Sequence, residues 1–296
     1  MVIGGVSSDK PLVEVRGTLY TWTFGETVFQ VDAARGARIT CFSLADQNIL
    51  TGPDVNALNY GATFWTSPQS QWGWPPPVAI DSEPYVADIV DRARGSVTFT
   101  GPIDPKLGLS VIKTVAVDPQ RGLVSIEYAL ANQSGEMRTV APWEISRHPI
   151  DGLTFFPAGA GGIYPPSNLA VTVAAGAVWF AYDTVAVTDH QKLFAHGAGG
   201  WLAHVDPARR LALIKVFPEV VATEQAPGEA AIELYADPQH TYVEVEQQGA
   251  FRPILPGGQA RWTVTWRVRR LPPDLDLAPR AGSAALLAWA RALATS

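Results

Sequence analysis

Apolar and polar positions alternate with a period of two along most of this chain, in short runs closed by Gly, Pro, Asn or Asp. Half-buried β-strands carry that pattern, because successive side chains point to opposite faces. It predicts strands over 17–24, 27–31, 37–42, 96–100, 110–117, 123–130 and 137–145 in the first half of the chain. Further strands are predicted over 170–173, 178–182, 211–216, 230–235, 242–246 and 260–269. Runs spaced about ten residues apart, with no helical pattern between them, predict an all-β antiparallel sandwich rather than alternating βαβ units. One segment departs from this. Residues 283–295, SAALLAWARALAT, are rich in Ala and Leu and begin at Ser283, a good N-cap, so a helix is predicted there. Leu286, Leu287, Trp289 and Leu293 give it an apolar side to lay against a sheet. The expected organisation is one β domain over 1–280 and a C-terminal helical appendage over 281–296, reached through the proline-rich LPPDLDLAP at 271–279.

Charge narrows the partners. With 22 Lys+Arg against 28 Asp+Glu the net charge is −6, which lacks the basic field that phosphate backbones require, so no nucleic-acid partner is expected. No apolar stretch approaches the ~18 residues of a membrane span. The opening MVIGGVSSDKPLVEV lacks a basic segment followed by an apolar one, so a cytoplasmic protein is expected, as a monomer or homodimer. Cys41 is the single cysteine, which leaves no intrachain disulfide. The five histidines (148, 190, 196, 204 and 240) are dispersed, and no phosphate-loop, dinucleotide or HExxH motif is present. No metal and no cofactor are expected.

Ten tryptophans in 296 residues change the picture more. Three of them (Trp65, Trp72 and Trp74) fall in NYGATFWTSPQSQWGWPPP, 59–77, whose Pro, Gly and Gln content argues for an irregular loop. So apolar a loop either plugs one end of the sandwich or lines a cleft. Indole faces suit the C–H faces of a sugar, and the amides of Asn59 and Gln69 suit its hydroxyls.

Three strands carry candidate chemistry. In APWEISRHP, 141–149, alternation puts Glu144, Ser146 and His148 on one face and Trp143, Ile145 and Arg147 on the other. Glu144 and His148 would stand about 13 Å apart, too far to pair but able to flank a ligand. In TYVEVEQQG, 241–249, Tyr242, Glu244 and Glu246 share a face. On an outer edge these carboxylates form a solvated stripe; on an enclosed face their pKa values rise and one can act as general base. In LALIKVFPE, 211–219, Lys215 lies on an apolar face and either snorkels or reaches a polar cleft, and Arg38 of GARI is comparably placed.

Taken in order, GARI, NYGATFWTSPQSQWGWPP, ANQSGEMRTVAPWEISR and YVEVEQQGAFRPILPGGQARWTVTWRV resemble the galactose-mutarotase-like superfamily, which includes aldose 1-epimerases and hexose-6-phosphate epimerases, in an uncharacterised branch. The closing block, a Val-x-Val-Glu strand followed by Leu-Pro-Gly and a last alternating strand, is its most specific part. The resemblance implies a β-supersandwich of two large antiparallel sheets with a sugar in a cleft. It implies anomer interconversion, in which a carboxylate removes the anomeric proton while an imidazole protonates the ring oxygen. It makes Glu246 the general base. The family's His-x-Tyr-Phe motif is replaced here by APWEISRHP, so either His148, a later histidine or Glu144 supplies the acid, or mutarotation is no longer performed.

The expected protein is therefore a carbohydrate-binding protein of aldose 1-epimerase type acting on a hexose or an acidic or phosphorylated sugar. Glu246, His148 and Glu144 are its candidate catalytic residues. Arg38, Asn59, Trp65, Gln69, Trp72, Trp74, Arg147, Lys215 and Glu244 are its candidate binding residues. Two alternatives are a non-catalytic sugar binder and a lyase or hydrolase using Glu144 and Glu246 as a carboxylate pair.

Overall fold

The structure, a computed structural model, describes residues 12–91, 95–164, 167–277 and 281–296. Residues 1–11, which carry most of the opening stretch from which no export signal is read, lie outside the described residues, as does the end of the 271–279 link.

Among the described residues twenty-one strands, every paired pair antiparallel, build two facing layers. The first layer begins with the meander Val13–Arg16, Leu19–Phe24, Thr27–Asp32 and Arg38–Leu44. It continues through Ala62–Ser67, Arg138–His148, Val243–Gln248, Ile232–Ala236 and Gln191–Gly197. The second layer runs Val86–Asp91, Ser96–Ile103, Leu109–Asp118, Leu123–Asn132, Gln259–Arg270, Leu211–Val216 and Trp201–Asp206. One strand belongs to both. Leu153–Ile163 pairs with Trp201–Asp206 and Ala177–Ala181 through its first residues, then crosses to pair with Gln191–Gly197 through Ala158 and Ile163.

All thirteen predicted strands are present within a few residues. The chief correction concerns 59–77, which is not irregular throughout. Ala62–Ser67 (ATFWTS) is a fully buried strand paired with Arg138–His148, Trp65 opposite Trp143. Its β-branched and aromatic residues favour a strand, while the Pro, Gly and Gln that argued against one flank it at Gly61 and Pro68 onwards. Gly61 is needed at the entry, because its φ is +62° and a Cβ there would run into the Ile39 carbonyl.

Aromatic side chains fill the space between the layers. Phe64 stacks on Tyr128 with centroids 4.4 Å apart, and Phe42 packs against Trp266 at 5.9 Å. The predicted helix spans Ala284–Ala294, with the Ser283 hydroxyl accepting from the Leu286 amide as an N-cap. It buries Leu286, Leu287 and Ala290 in a second apolar cluster with Phe155, Trp179 and Trp201.

The interior also holds charge. Glu144, fully buried, accepts hydrogen bonds from Tyr128 Oη at 2.5 Å, Trp266 Nε1 at 2.9 Å and Gln247 Nε2, and is ion-paired with Lys215 Nζ at 3.1 Å. Burial pushes the Lys215 pKa down, opposed by Glu144. These contacts tie the first layer to the second. His148 is equally enclosed: its Nδ1 pairs with the Ile49 carbonyl at 2.9 Å, its Nε2 with Ser146 Oγ at 2.8 Å, and its ring stacks on His204 at 4.1 Å. Burial and then the neighbouring His204 hold its pKa well below the usual imidazole value, and burial brings His204 down to about 3. The expectation that Glu144, His148 and Lys215 line a ligand cleft is therefore corrected. The predicted partition of faces holds, but their face is the one turned into the sandwich.

Candidate functional site

The opposite face of the same strands builds a cavity of about 540 Å³, within the range of about 300–1,000 Å³ usual for small-molecule sites. Trp65, Trp74, Tyr235 and Tyr242 give it aromatic walls, with Trp143 packed behind them. Asn56, Asn59, Gln69 and Gln239 bring amides, and His190, Lys192, Asp237 and Glu244 bring ionisable groups. Of the candidate binding residues, Asn59, Trp65, Gln69, Trp74 and Glu244 meet here.

Each is held by the fold. Asn59 Nδ2 donates to Tyr242 Oη at 3.1 Å, and the Gln69 backbone N–H donates to Glu229 Oε1 at 2.8 Å, which pins the turn Gln69–Gln71 beside the cavity. Trp65 donates its Nε1 to Asp81 Oδ1 at 2.7 Å and meets Trp143 edge-on at 5.4 Å. Trp72 does not reach the cavity. It is buried against Trp65 and Trp143, and its Nε1 donates to the Thr66 carbonyl. Trp143 is wholly buried and contributes about 4–6 kcal/mol of apolar transfer free energy on the area scale. Trp74 is 64% exposed and meets Trp65 edge-to-face at 6.0 Å.

Beneath the floor lies a chain of charge. Arg147, fully buried, donates its Nε to Glu244 Oε1 at 2.8 Å and lies 5.6 Å from the Trp65 ring centroid. It stiffens the floor and does not line the cavity. Glu246 is also fully buried: its Oε2 accepts from Trp143 Nε1 at 2.9 Å and from Lys192 Nζ at 3.3 Å. Lys192 Nζ is shared with Glu233, 2.6 Å away, and sits 4.7 Å from the Trp143 ring centroid. Glu233 takes its remaining bonds from the Ala230 amide and Gln248. Burial raises the pKa of Glu246 and Glu233 above the carboxylate range; Lys192 opposes the rise, and each neighbouring carboxylate adds to it. Burial works against the charge on Lys192, but Glu233 and Glu246 outweigh it and push its pKa up. Glu246 thus stands next to the aromatic cluster, as expected, yet it is capped by Trp143 and Lys192 rather than open to the cavity.

His148 and Glu246 lie on opposite faces of adjacent strands, since Ile145 is the residue opposite Glu246. The imidazole that does line the cavity is His190, exposed, whose Nδ1 meets Tyr235 Oη at 2.6 Å and whose ring stacks on Tyr235. Sequence reasoning reached His190 only as one of the later histidines and passed over Lys192: they sit in TDHQKL, which carries no spacing that singles either out. Among the described residues no group of three His, Cys, Asp or Glu forms a metal site, and no helix is long and apolar enough to cross a membrane.

Two antiparallel layers sharing a strand have counterparts among solved structures. The chain superposes on a putative aldose 1-epimerase from Escherichia coli K12 with a TM-score of 0.59 at 12% identity, covering 86% of this chain and 99% of that one. A galactose mutarotase-like protein from Lactobacillus casei gives 0.59 at 12%, over 85% and 100%. A putative aldose 1-epimerase from Klebsiella pneumoniae gives 0.60 at 11%, over 96% and 85%. The fold is galactose mutarotase-like. No family model matches the sequence, and no curated protein matches it. Within this galactose mutarotase-like fold the cavity lies on the face of the first layer that the second layer does not cover.

Proposed function

We propose that the cavity binds a small carbohydrate and interconverts its anomers. The observation that carries this reading is the composition of the cavity wall: aromatic faces, neutral amides and an ionisable pair, His190 and Glu244, line one cavity in a galactose mutarotase-like fold. A pyranose presents the same alternation, with C–H faces for the indoles and equatorial hydroxyls for Asn59, Gln69 and Gln239. The neighbouring structures described as aldose 1-epimerases support a sugar as the ligand.

Anomer exchange needs one proton acceptor and one donor on different sides of the ring. In this reading Glu244, fixed by Arg147, takes the proton from the anomeric hydroxyl as the C1–O5 bond breaks. Protonated His190, steadied by Tyr235, gives its proton to the ring oxygen. The C1 aldehyde turns, the O5 hydroxyl adds to its other face, and the two protons return by the same groups. Lys192, Glu246 and Glu233 set the charge beneath the floor. No oxidant, reductant or metal enters the balance.

Freshly dissolved α-glucose and α-galactose, followed by polarimetry and by NMR exchange, test the reading. Accelerated mutarotation that drops at least a hundredfold in Glu244→Gln and in His190→Ala supports it. Sugar binding with no acceleration for any hexose would replace it with the second reading, a binding protein without catalysis. A specific observation favours that alternative: the expected pair of Glu246 and His148 is split between the two faces of the first layer, and Glu246 is capped by Trp143 and Lys192. Hydrolysis by a Glu144–Glu246 pair finds no support, since the two carboxylates face opposite sides of the first layer.

A further inference from the structure

The Trp74 indole separates two cavities rather than closing one. On its far side lies a second cavity of about 260 Å³, lined by Arg38, Tyr60, Pro75, Pro76 and Ser82 among others, and Asn59 and Trp74 line both. The wall between them is rigid. Asp81 accepts from Trp65, which lines the first cavity, and pairs with Arg38, which lines the second, Nη2 to Oδ2 at 3.3 Å. Arg38 is further fixed by the Leu58 carbonyl at 2.6 Å and lies 4.6 Å over the Tyr60 ring. On top of this wall a tryptophan stands 64% exposed, where burial in the core does not account for it.

We infer that the ligand spans both cavities: a neutral carbohydrate of at least two sugar units, with Trp74 under or beside their junction. The inference rests on the carbohydrate reading above and names the substrate class of that site. Charge decides for a neutral second unit over a phosphate or carboxylate. Arg38 is committed to Asp81 and to two backbone carbonyls, and the other guanidinium of this cavity, Arg35, sits 3.7 Å from Asp32. The buried guanidinium is therefore committed within the protein, and Arg35, largely exposed, carries a charge screened by solvent. What remains for a ligand is ring surface on Trp74, Pro75 and Pro76, with hydrogen bonds at Asn59 and Ser82. That mixture suits a hydroxylated ring.

The test is calorimetric titration with glucose and galactose, with the disaccharides cellobiose, maltose and lactose, and with glucose 6-phosphate. Ala57 and Ser82 are exposed residues that line the second cavity and not the first. Ala57→Trp and Ser82→Trp therefore fill the second while leaving the first intact. The expected result is one disaccharide binding at least tenfold tighter than either hexose, with that advantage lost in one or both fillers while hexose binding is unchanged. Hexoses bound as well as every disaccharide, or a disaccharide advantage that survives both fillers, would overturn the two-unit ligand and leave the carbohydrate reading standing. Glucose 6-phosphate binding tighter than any disaccharide would replace the neutral unit with an anion. Binding of no sugar at all would overturn the carbohydrate reading itself.

Discussion

Lys192→Met is the most informative single change at the cavity floor. Two fully buried carboxylates, Glu233 and Glu246, share this one ammonium at 2.6 and 3.3 Å. Removing one partner of a buried pair leaves uncompensated charge and costs about 3–5 kcal/mol. The Lys192 side chain is 25% exposed, which places the loss at the lower end, about 3 kcal/mol at alkaline pH. For a chain of this size each kcal/mol moves Tm by about 2–4 °C, so a fall of roughly 6–12 °C is expected. The pH dependence carries the sharper signature. Both carboxyls have folded pKa values raised above the unfolded carboxylate value of 4.5. A group of that kind contributes stability fully present below its unfolded pKa and lost as pH rises through the folded one. Without Lys192 the folded values rise further, so the deficit against wild type must grow from pH 5 to pH 9, by up to about 1.4 kcal/mol per pH unit for each carboxyl that titrates. Thermal melts across that range read it directly. Adding Glu233→Gln and Glu246→Gln to Lys192→Met should flatten the profile. A deficit that is constant with pH, or larger at pH 5, would refute the shared-cation account.

Trp74→Ala should weaken sugar binding about 3–10-fold, equivalent to ~0.5–1.5 kcal/mol of ring contact, and leave the melting temperature nearly unchanged because the indole is largely exposed; fluorescence titration and a melt check both halves. Lys113 is buried, with Nζ donating to the Gly36 carbonyl at 2.6 Å, and burial brings its pKa down from 10.5 to about 7. The folded state then binds fewer protons than the unfolded state between those values, so stability from this group rises with pH across about 7 to 10.5 and Lys113→Met removes that rise in urea titrations. Gly61→Ala should cost about 2–4 kcal/mol, from a left-handed backbone and the encounter with the Ile39 carbonyl, read as a lowered urea midpoint. Ser283→Ala should cost about 1 kcal/mol through the lost cap, visible as earlier hydrogen exchange in the terminal helix.

The architecture was legible where strands alternate in burial, as in Thr27–Asp32 and Leu109–Asp118, and the Ser283 cap announced the helix because the side chain and its position are sufficient for that contact. Ala62–Ser67 was not legible: both of its faces are buried, so ATFWTS shows no alternation and the surrounding Pro and Gly dominate the reading. The candidate site was half visible for a related reason. Alternation correctly split Arg138–His148 into a Glu144–Ser146–His148 face and a Trp143–Ile145–Arg147 face. It could not tell which looks inward, because here the charged face points into the sandwich and the aromatic one toward the cavity. Polarity is a guide to exposure only where buried charges are unpaired, and Glu144 has four partners. His190 could not be told from the other later histidines, nor Lys192 singled out, because the segment reaches the cavity by pairing of Gln191–Gly197 with Ile232–Ala236, a contact between segments about forty residues apart.

The strand Leu153–Ile163, common to both layers, makes the molecule a single mechanical object. Peeling either sheet pulls on the other through this one ribbon, so the two halves have no route to melt separately. A cut made to divide the chain into complementing fragments would have to spare it, and fragments that separate its two ends would each carry an unpaired edge.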